Sequence, residues 1–310
     1  MPALICHHIF GEDVVSSLPA GMVDGEEELL AFLLGNQGPD PLFSRFSCSP
    51  RTAHRCRTLA SKMQGDHMTR TFMVLRDSVG HLPQGEERVG RAFALGLLGH
   101  YALDRMAHPF VFAQQFGIVD ADPSLAPATH EVHAVIESDL DSWILWEKRR
   151  ATVEERPAAT NLMRTARIDR VGGALFSQAA FSVFGISVGA GEYAGAVADY
   201  ERLYRAIEPA GSARLRVLGA VERLVRGRSL AEASAHYVRR TDECAAANLE
   251  RRAWTNPWTK EIRHDSFADL FDEARLGYAD LAEAFVRGDE PRLRQLVASL
   301  NYEGRPVEDA

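Results

Sequence analysis

Residues 93–109 read FALGLLGHYALDRMAHP, and this stretch decides the fold. Its first half is strongly apolar, and three side chains of metal-ligand type then follow at intervals of four: His100, Asp104 and His108. Residues four apart lie on the same face of an α-helix. A buried aspartate is costly unless it is paired with charge or coordinates a metal. The stretch therefore predicts a buried helix with a metal-binding face.

A second stretch, residues 129–141, repeats the arrangement as THEVHAVIESDLD. His133, Glu137 and Asp141 are four apart, and His130 precedes His133 by three. Imidazole and carboxylate groups suit Zn²⁺, and also iron or manganese. Two neighbouring helices with these pairs predict a metal cluster between them. A different helix phase would put His130 in place of His133, and Asp141 is expected to orient a ligating imidazole.

Most of the remaining sequence has helical periodicity, so we predict an all-α fold. The predicted helices are residues 26–34, 50–79, 89–106, 128–150, 159–183, 191–206, 212–226, 229–251, 266–287 and 290–300. Pro109 is expected to stop the helix that carries His100. There is no internal repeat and no linker. We therefore expect one domain over residues 1–310, with the ligands in 1–150 and with 151–310 packed against them.

Composition excludes several classes of protein. Of 310 residues, 46% are hydrophobic and 25% are charged, which are ordinary globular values and argue against disorder. A net charge of −8 makes a stable nucleic-acid partner unexpected. The four cysteines include no C-x-x-C pair, so a zinc ribbon is excluded, and their number suits a cytoplasmic protein. No signal-peptide pattern is present, which adds to the expectation of a cytoplasmic location.

Two segments have unusual composition. Residues 171–191 carry no charge but include five glycines. They predict a buried helix that ends in a glycine-rich turn rather than a transmembrane segment, with a mobile lid as the alternative. Residues 201–252 are rich in arginine, which we interpret as a solvated helix face paired with nearby acids. The alternative is a patch that binds phosphate or lipid headgroups.

Several motifs together resemble the bacterial zinc-dependent phospholipase C family. His7-His8-Ile9-Phe10-Gly11 resembles the H-x-x-F-G start of that family, and the Gly35–Asp40 turn resembles its G-x-Q-G-P-D signature. The ligand-type residues then follow in the family's order, namely His67, His100, Asp104, His108, His133 and Glu137. Residues 254–259 and 266–271 also resemble a tail segment of intracellular members, so the resemblance touches most of the chain.

The resemblance implies an all-helical fold shared with single-strand-specific nucleases, which holds two or three zinc ions. Carried over by position, it gives one zinc to Asp40, His67, His100 and Asp104, a second to His108, His133 and Glu137, and a third to His7 with a bridging Asp104. Two features depart from the family. Secreted members complete the third site with the amino group of an N-terminal tryptophan, whereas this chain begins Met1-Pro2, and the Asp104–His108 spacing is shorter.

The expected activity is zinc-dependent hydrolysis of a phosphodiester by metal-activated water, because divalent ions neutralise phosphate and lower the pKa of water. The resemblance makes Asp40 the candidate to orient or deprotonate that water. A small phosphodiester or a phospholipid headgroup is the expected substrate. Alternatives are a non-catalytic metal- or ligand-binding helical protein and a phosphoesterase that acts on nucleotides. A histidine–aspartate phosphohydrolase is disfavoured, since the one His-Asp dipeptide is His264-Asp265.

Overall fold

The protein is described by a computed structural model that covers residues 4–307, and over that range it is built almost entirely of helices, as predicted. The α-helices are α1 (Leu4–Val14), α2 (Glu26–Gly35), α3 (Pro50–Gly65), α4 (Met68–Val79), α5 (Glu87–Ala121), α6 (Thr129–Arg149), α7 (Ala166–Phe184), α8 (Gly191–Ile207), α9 (Ala213–Arg226), α10 (Leu230–Ala233), α11 (Phe267–Arg287) and α12 (Glu290–Val297). Two short strands, β1 (Trp254–Thr255) and β2 (Ile262–Arg263), pair antiparallel, with Trp254 opposite Arg263.

Helix α5 is the centre of the molecule and packs against α1, α2, α4, α6, α7 and α11. Its contact with α2 is close because glycines meet there. A Cβ at Gly35 would lie 2.2 Å from the Phe93 carbonyl oxygen, and one at Gly96 would lie 2.0 Å from the Phe32 carbonyl oxygen. Only glycine permits this approach of the two backbones. The crossing fixes the turn after α2 against the part of α5 that begins at His100.

The prediction that the central helix ends near residue 106 was wrong, since α5 continues through Pro109 to Ala121. A proline inside a helix removes one backbone hydrogen bond. Phe110 and Val111, which follow the proline, are buried nonetheless, and the Phe110 ring packs edge-on against Trp254 with 5.3 Å between the centroids. The C-terminal segment covers this part of the helix, because a Cβ at Gly304 would lie 2.4 Å from the Arg105 carbonyl oxygen. Packing on both sides of the proline therefore outweighs the lost bond.

Two other predicted helices are broken. The expected helix 50–79 is two helices, because Asp66 is extended and His67 adopts a left-handed conformation with φ 58°. In the expected helix 229–251, only Leu230–Ala233 is α-helical. Beyond it the backbone forms only short local turns and also bonds to other elements, for example Trp143 Nε1 donates to the Asp242 carbonyl at 3.0 Å. Such tertiary contacts were not evident from periodicity.

The glycine-containing segment 171–191 behaves as predicted. Its first part belongs to α7, and the helix ends at Gly185 with φ 65°. The expected start of this helix at 159 was too early, because residues 158–162 form a 3₁₀ turn and Thr165 caps α7. Among residues 4–307, no helix combines the length and the apolar character needed to cross a bilayer.

Candidate metal centre

Six of the predicted ligands come together from three helices and form two groups around α5. His7 of α1 joins His100 and Asp104 of α5, and we call this set the His7 group. The second set is the His108 group, in which His108 of α5 joins His133 and Glu137 of α6. Within each group, one nitrogen or oxygen from every member lies within 4.8 Å of the others. Each group could therefore hold a metal ion.

The His7 group is buried. His7 Nε2 lies 3.1 Å from Asp104 Oδ1, and His100 Nε2 lies 3.1 Å from Asp104 Oδ2. The two imidazole rings stack with 3.9 Å between their centroids. Asp40 borders the group, since its Oδ2 is 3.5 Å from His100 Nε2. Asp104 thus faces both imidazoles with different oxygens.

The His108 group lies one turn further along α5. Glu137 Oε1 is 3.1 Å from His133 Nε2 and 3.5 Å from His108 Nε2. Asp104 connects the two groups, because its Oδ1 is also 3.7 Å from His108 Nδ1. The resemblance gave His108, His133 and Glu137 to one metal, and the structure brings these three together.

The histidines are oriented by acceptors on their Nδ1 atoms, as the histidines of metal sites commonly are. His100 Nδ1 lies 3.0 Å from the Asn36 carbonyl oxygen and His108 Nδ1 lies 2.8 Å from the Tyr302 carbonyl oxygen. Because a carbonyl only accepts, these Nδ1 atoms donate. His133 Nδ1 is likewise 2.7 Å from Gln115 Oε1. In a neutral ring the Nε2 lone pair then faces a carboxylate, an arrangement that a cation between them would stabilise.

Buried atoms without partners support this interpretation. His7 Nδ1 and His100 Nε2 are buried and make no hydrogen bond with residues 4–307. For His100 the 3.1 Å approach to Asp104 lacks the alignment of a hydrogen bond. A buried polar atom with no partner is costly. Coordination of a metal by His100 Nε2 would remove that cost.

In the absence of metal, the charges of the centre shift the pKa values strongly. Burial lowers the pKa of His108, but Asp104 and Glu137 outweigh it and raise the pKa to about 9. Burial raises the pKa of Glu137, and the histidines beside it bring it below its ordinary value. The pKa of Asp104 is lowered in the same way. In the metal-free centre His108 is therefore an imidazolium beside the carboxylates of Asp104 and Glu137, and metal binding would displace its proton.

Asp40 is held at the edge of the centre by the Gly35–Asp40 turn. Gly38 has φ 55°, and a Cβ there would lie 2.3 Å from the His100 ring, so no other residue fits. Gln64 Nε2 donates to Asp40 Oδ1 at 2.7 Å. Burial and the charge of Asp104 raise the pKa of Asp40, against the opposing effect of His100. Asp40 Oδ2 is thus a fixed carboxylate oxygen that accepts protons more readily than usual.

Helix α1, which carries His7, is positioned by a second ionic cluster. Asp141 accepts hydrogen bonds from the backbone of Ile5 and of Cys6, both at 2.8 Å. His236 Nε2 lies 3.1 Å from Asp141 Oδ2, and its Nδ1 contacts Glu208. We call His236, Asp141 and Glu208 the His236 triad. Asp141 was expected to orient a ligating imidazole, but the imidazole that it contacts is His236, which belongs to neither ligand group.

A cavity of about 460 Å³ opens onto the centre, and we call it the ligand cavity. It is lined by Asp40, Asp104, His108 and His133 together with aromatic and polar residues, including Phe43, Gln64, Phe112, Gln115, Thr129, His130 and Tyr302. His130 is exposed and belongs to neither group. Helix α6 therefore presents His133 to the centre and His130 to the cavity.

One predicted ligand lies apart. His67, at the break between α3 and α4, has its Nε2 3.9 Å from Asp66 and its ring 6.0 Å from Phe184. It joins neither group of residues 4–307.

Sequence reasoning also missed Gln115 and Tyr302, which orient His133 and His108. The i, i+4 spacing gives no sign of them, because their contacts arise only in the folded chain.

Comparison with known proteins adds no identification. No protein-family model, no curated protein and no solved structure matches this chain.

Proposed function

We propose that the protein is a zinc-dependent hydrolase of phosphodiester bonds. The observation that carries the proposal is the orientation of His100, His108 and His133, whose Nδ1 atoms are held by acceptors while their Nε2 atoms face carboxylates beside a cavity. Four imidazoles and two carboxylates in two groups are a donor set that Zn²⁺ accepts. The motif resemblance to the bacterial zinc-dependent phospholipase C family supports the same activity.

The His7 group and the His108 group would each hold one ion. Bound zinc would supply positive charge to the phosphate oxygens and would make a nearby water more acidic. Gln64 fixes one oxygen of Asp40, so the other is free to orient that water and to take its proton. The raised pKa of Asp40 suits this role.

The ligand cavity favours a small phosphodiester or the headgroup of a phospholipid. Its volume of about 460 Å³ is within the range of small-molecule sites. Phe43 and Phe112 provide apolar wall beside the ligands. The phosphate would contact the centre while the alcohol portion packs against these rings.

The burial of the His7 group favours a non-catalytic role for this part of the centre. His7 is 2% exposed and His100 is completely buried, whereas the ligand cavity is lined by His108 and His133. An ion in the His7 group, which reaches the cavity only through Asp104, would therefore add folding free energy whether or not it took part in catalysis. If both groups were structural, the protein would be a metal-binding helical protein without hydrolase activity.

Metal content tests the proposal first. Protein purified without chelators or an affinity tag is expected to hold two zinc ions per chain, one for each group. The variant His100→Ala/His133→Ala should hold neither. The control His81→Ala/His264→Ala removes two exposed histidines outside the groups and should keep both ions. A wild-type protein that takes up no transition metal after incubation with zinc would overturn the proposal.

A hydrolysis assay then distinguishes a catalytic role of the bound metal from a non-catalytic one. The loaded wild-type protein should cleave bis(p-nitrophenyl) phosphate or a short-chain phosphatidylcholine. Asp40→Asn should retain the metal in the His108 group and lose on the order of 10²–10⁴ in rate, which is typical of a lost general base. Full metal content with no hydrolysis of any phosphodiester would favour the non-catalytic alternative.

A further inference from the structure

Helix α9 exposes an apolar face that has no partner among residues 4–307. We call this face the α9 stripe, and it consists of Val217, Leu218, Val221, Leu224 and Val225. Leu224 is 88% exposed and Val225 is 80% exposed. Only Leu215 and Gly219 of this helix are buried, and they lie on its other side. The usual amphipathic pattern, with the apolar face turned inward, is thus reversed for most of the helix.

The helix is nevertheless firmly held. Ser212 caps its start by accepting from the Leu215 amide at 3.2 Å, and Gly227 ends it with φ 76°. Glu222 accepts hydrogen bonds from Ser229 Oγ at 2.9 Å and from the Ala231 amide at 3.1 Å. These bonds fix one side of α9 to α10. The stripe is therefore a formed surface.

Basic charge surrounds the stripe. Residues 212–228 contain five arginines and one acidic residue, a net charge of +4 in a chain whose total is −8. Arg223 pairs with Glu232 and Arg226 with Glu222. In the part of the chain that the structure describes, the other arginines have no carboxylate partner; these are Arg214, Arg216 and Arg228. Unpaired arginines beside exposed apolar side chains are typical of a helix that lies in the interface of an anionic membrane.

We propose that the α9 stripe docks the protein onto an anionic lipid bilayer. The apolar side chains would enter the headgroup region, and the arginines would extend along the helix to the lipid phosphates. The alternative interpretation of the arginine-rich segment in the sequence, a lipid-headgroup patch, agrees with this assignment. The proposal does not depend on the metal centre.

A second copy of the chain fits the stripe less well. Fourteen residues of helix are about 21 Å long, and five side chains fall well short of the 20–30 residues per partner typical of a specific interface. Two copies would also bring two regions of net charge +4 together. On an anionic bilayer, by contrast, the attraction of this charge adds to the binding that the apolar side chains provide.

The docked helix would lie near the ligand cavity. Arg228, just beyond the end of α9, donates to the Pro127 carbonyl oxygen. Thr129 and His130, next along the chain, line the cavity. Docking would thus bring the cavity close to the bilayer surface.

The test is sedimentation of the full-length protein with lipid vesicles. Wild-type protein should sediment with vesicles of phosphatidylcholine mixed with phosphatidylglycerol, and not with vesicles of phosphatidylcholine alone. Leu224→Glu/Val225→Glu should reduce binding at least about tenfold, because it places charge where apolar contact is needed. Arg214→Gln/Arg216→Gln should weaken binding several-fold and make it less sensitive to salt.

Controls separate docking from unfolding and from the metal centre. Leu276→Glu changes another exposed leucine, 71% exposed on α11, and should leave binding unchanged. Circular dichroism should show wild-type helix content for every variant. Protein treated with a chelator should bind vesicles as before, so failure of the proposed hydrolase activity and failure of docking are distinguishable. No binding to anionic vesicles, or binding that survives Leu224→Glu/Val225→Glu, would overturn the proposal, as would a dimer in solution that this variant abolishes.

Discussion

Two clusters of histidine and carboxylate meet α6 at successive turns, and they are built differently. In the His236 triad, both ring nitrogens of His236 contact carboxylates, and the remaining carboxylate oxygens accept backbone amides, Glu208 from Ala158 and Asp141 from Cys6. In the metal centre, His7 Nδ1 and His100 Nε2 have no hydrogen-bond partner within residues 4–307. The triad is complete without a ligand, whereas the centre has buried polar atoms that a ligand would satisfy.

The difference shows that burial and composition alone do not distinguish a structural ion cluster from a metal site. Both clusters are buried and both contain imidazole between carboxylates. What separates them is whether each polar atom already has a partner and whether a cavity adjoins. Only the metal centre borders the ligand cavity.

The largest effect is expected from Asp141→Ala. The change leaves His236 as a buried cation with one carboxylate and removes the acceptor for the Ile5 and Cys6 amides. Breaking a buried pair in this way costs about 3–5 kcal/mol of unfolding free energy. Denaturant unfolding of metal-free protein measures it. Asp139→Ala, which removes a half-buried carboxylate of the same helix paired with Arg239, is the control and should cost less than about 1 kcal/mol. An equal loss in both variants would contradict the role given to the triad.

The triad should also make stability depend on pH. Burial lowers the pKa of His236, but Asp141 and Glu208 raise it to about 9, above its ordinary 6.5. Because the folded protein binds this proton more tightly, the stabilisation is complete below about pH 6.5 and is lost as the pH rises through about 9. The full shift corresponds to about 3 kcal/mol.

The measurement compares the wild type with His236→Gln. The difference in unfolding free energy between the two metal-free proteins should be largest below about pH 6.5 and should shrink toward about pH 10. His264→Gln, an exposed histidine, gives the baseline. A difference that stays constant over this range would show that the triad contributes through neutral hydrogen bonds instead.

A smaller effect is expected at Gln115. Its Oε1 holds His133 Nδ1, so Gln115→Leu should weaken metal binding in the His108 group by about 10–100-fold. Gln115→Glu, which keeps an acceptor at this position, should restore tight binding. Calorimetric titration of the metal-free protein with zinc gives the affinity. Gln114→Leu is a matched control on the same helix, because Gln114 bonds to the Ala246 carbonyl and to no ligand. Unchanged zinc affinity in Gln115→Leu would count against the His108 group as a metal site.

The smallest effect is expected at His67. The motif resemblance makes His67 a zinc ligand, whereas the structure places it beside Asp66 and Phe184, outside both groups. His67→Ala should therefore keep the wild-type metal content, and His133→Ala should lose one ion per chain. Elemental mass spectrometry of the two variants measures the number of ions per chain. Loss of an ion from His67→Ala would favour the assignment made by resemblance.

Much of the centre was predictable because its ligands are local in sequence. The spacing of four places His100 with Asp104 and His133 with Glu137 on single helix faces. The motifs added His7 and Asp40. The all-α class and most helix boundaries follow from periodicity for the same reason.

What could not be predicted depends on contacts distant in sequence. His108 is oriented by the Tyr302 carbonyl, 194 residues away, and His7 is positioned through Asp141, more than 130 residues away. The continuation of α5 past Pro109 likewise depends on packing against Trp254. Helical spacing carries no information on any of these pairs.

The continuity of α5 has a consequence for redesign. His100 and His108 are separated by eight residues of one uninterrupted helix, a rise of about 12 Å. The spacing of the two groups is therefore set by the helix repeat and not by a loop. Exchanging individual side chains on α5 or α6, for example carboxylate for imidazole, would change which metals the two groups prefer. The distance between the two groups would stay the same. Helix α5 is thus a fixed frame for the two groups, so the side chains of either group can be exchanged without changing the separation of the groups.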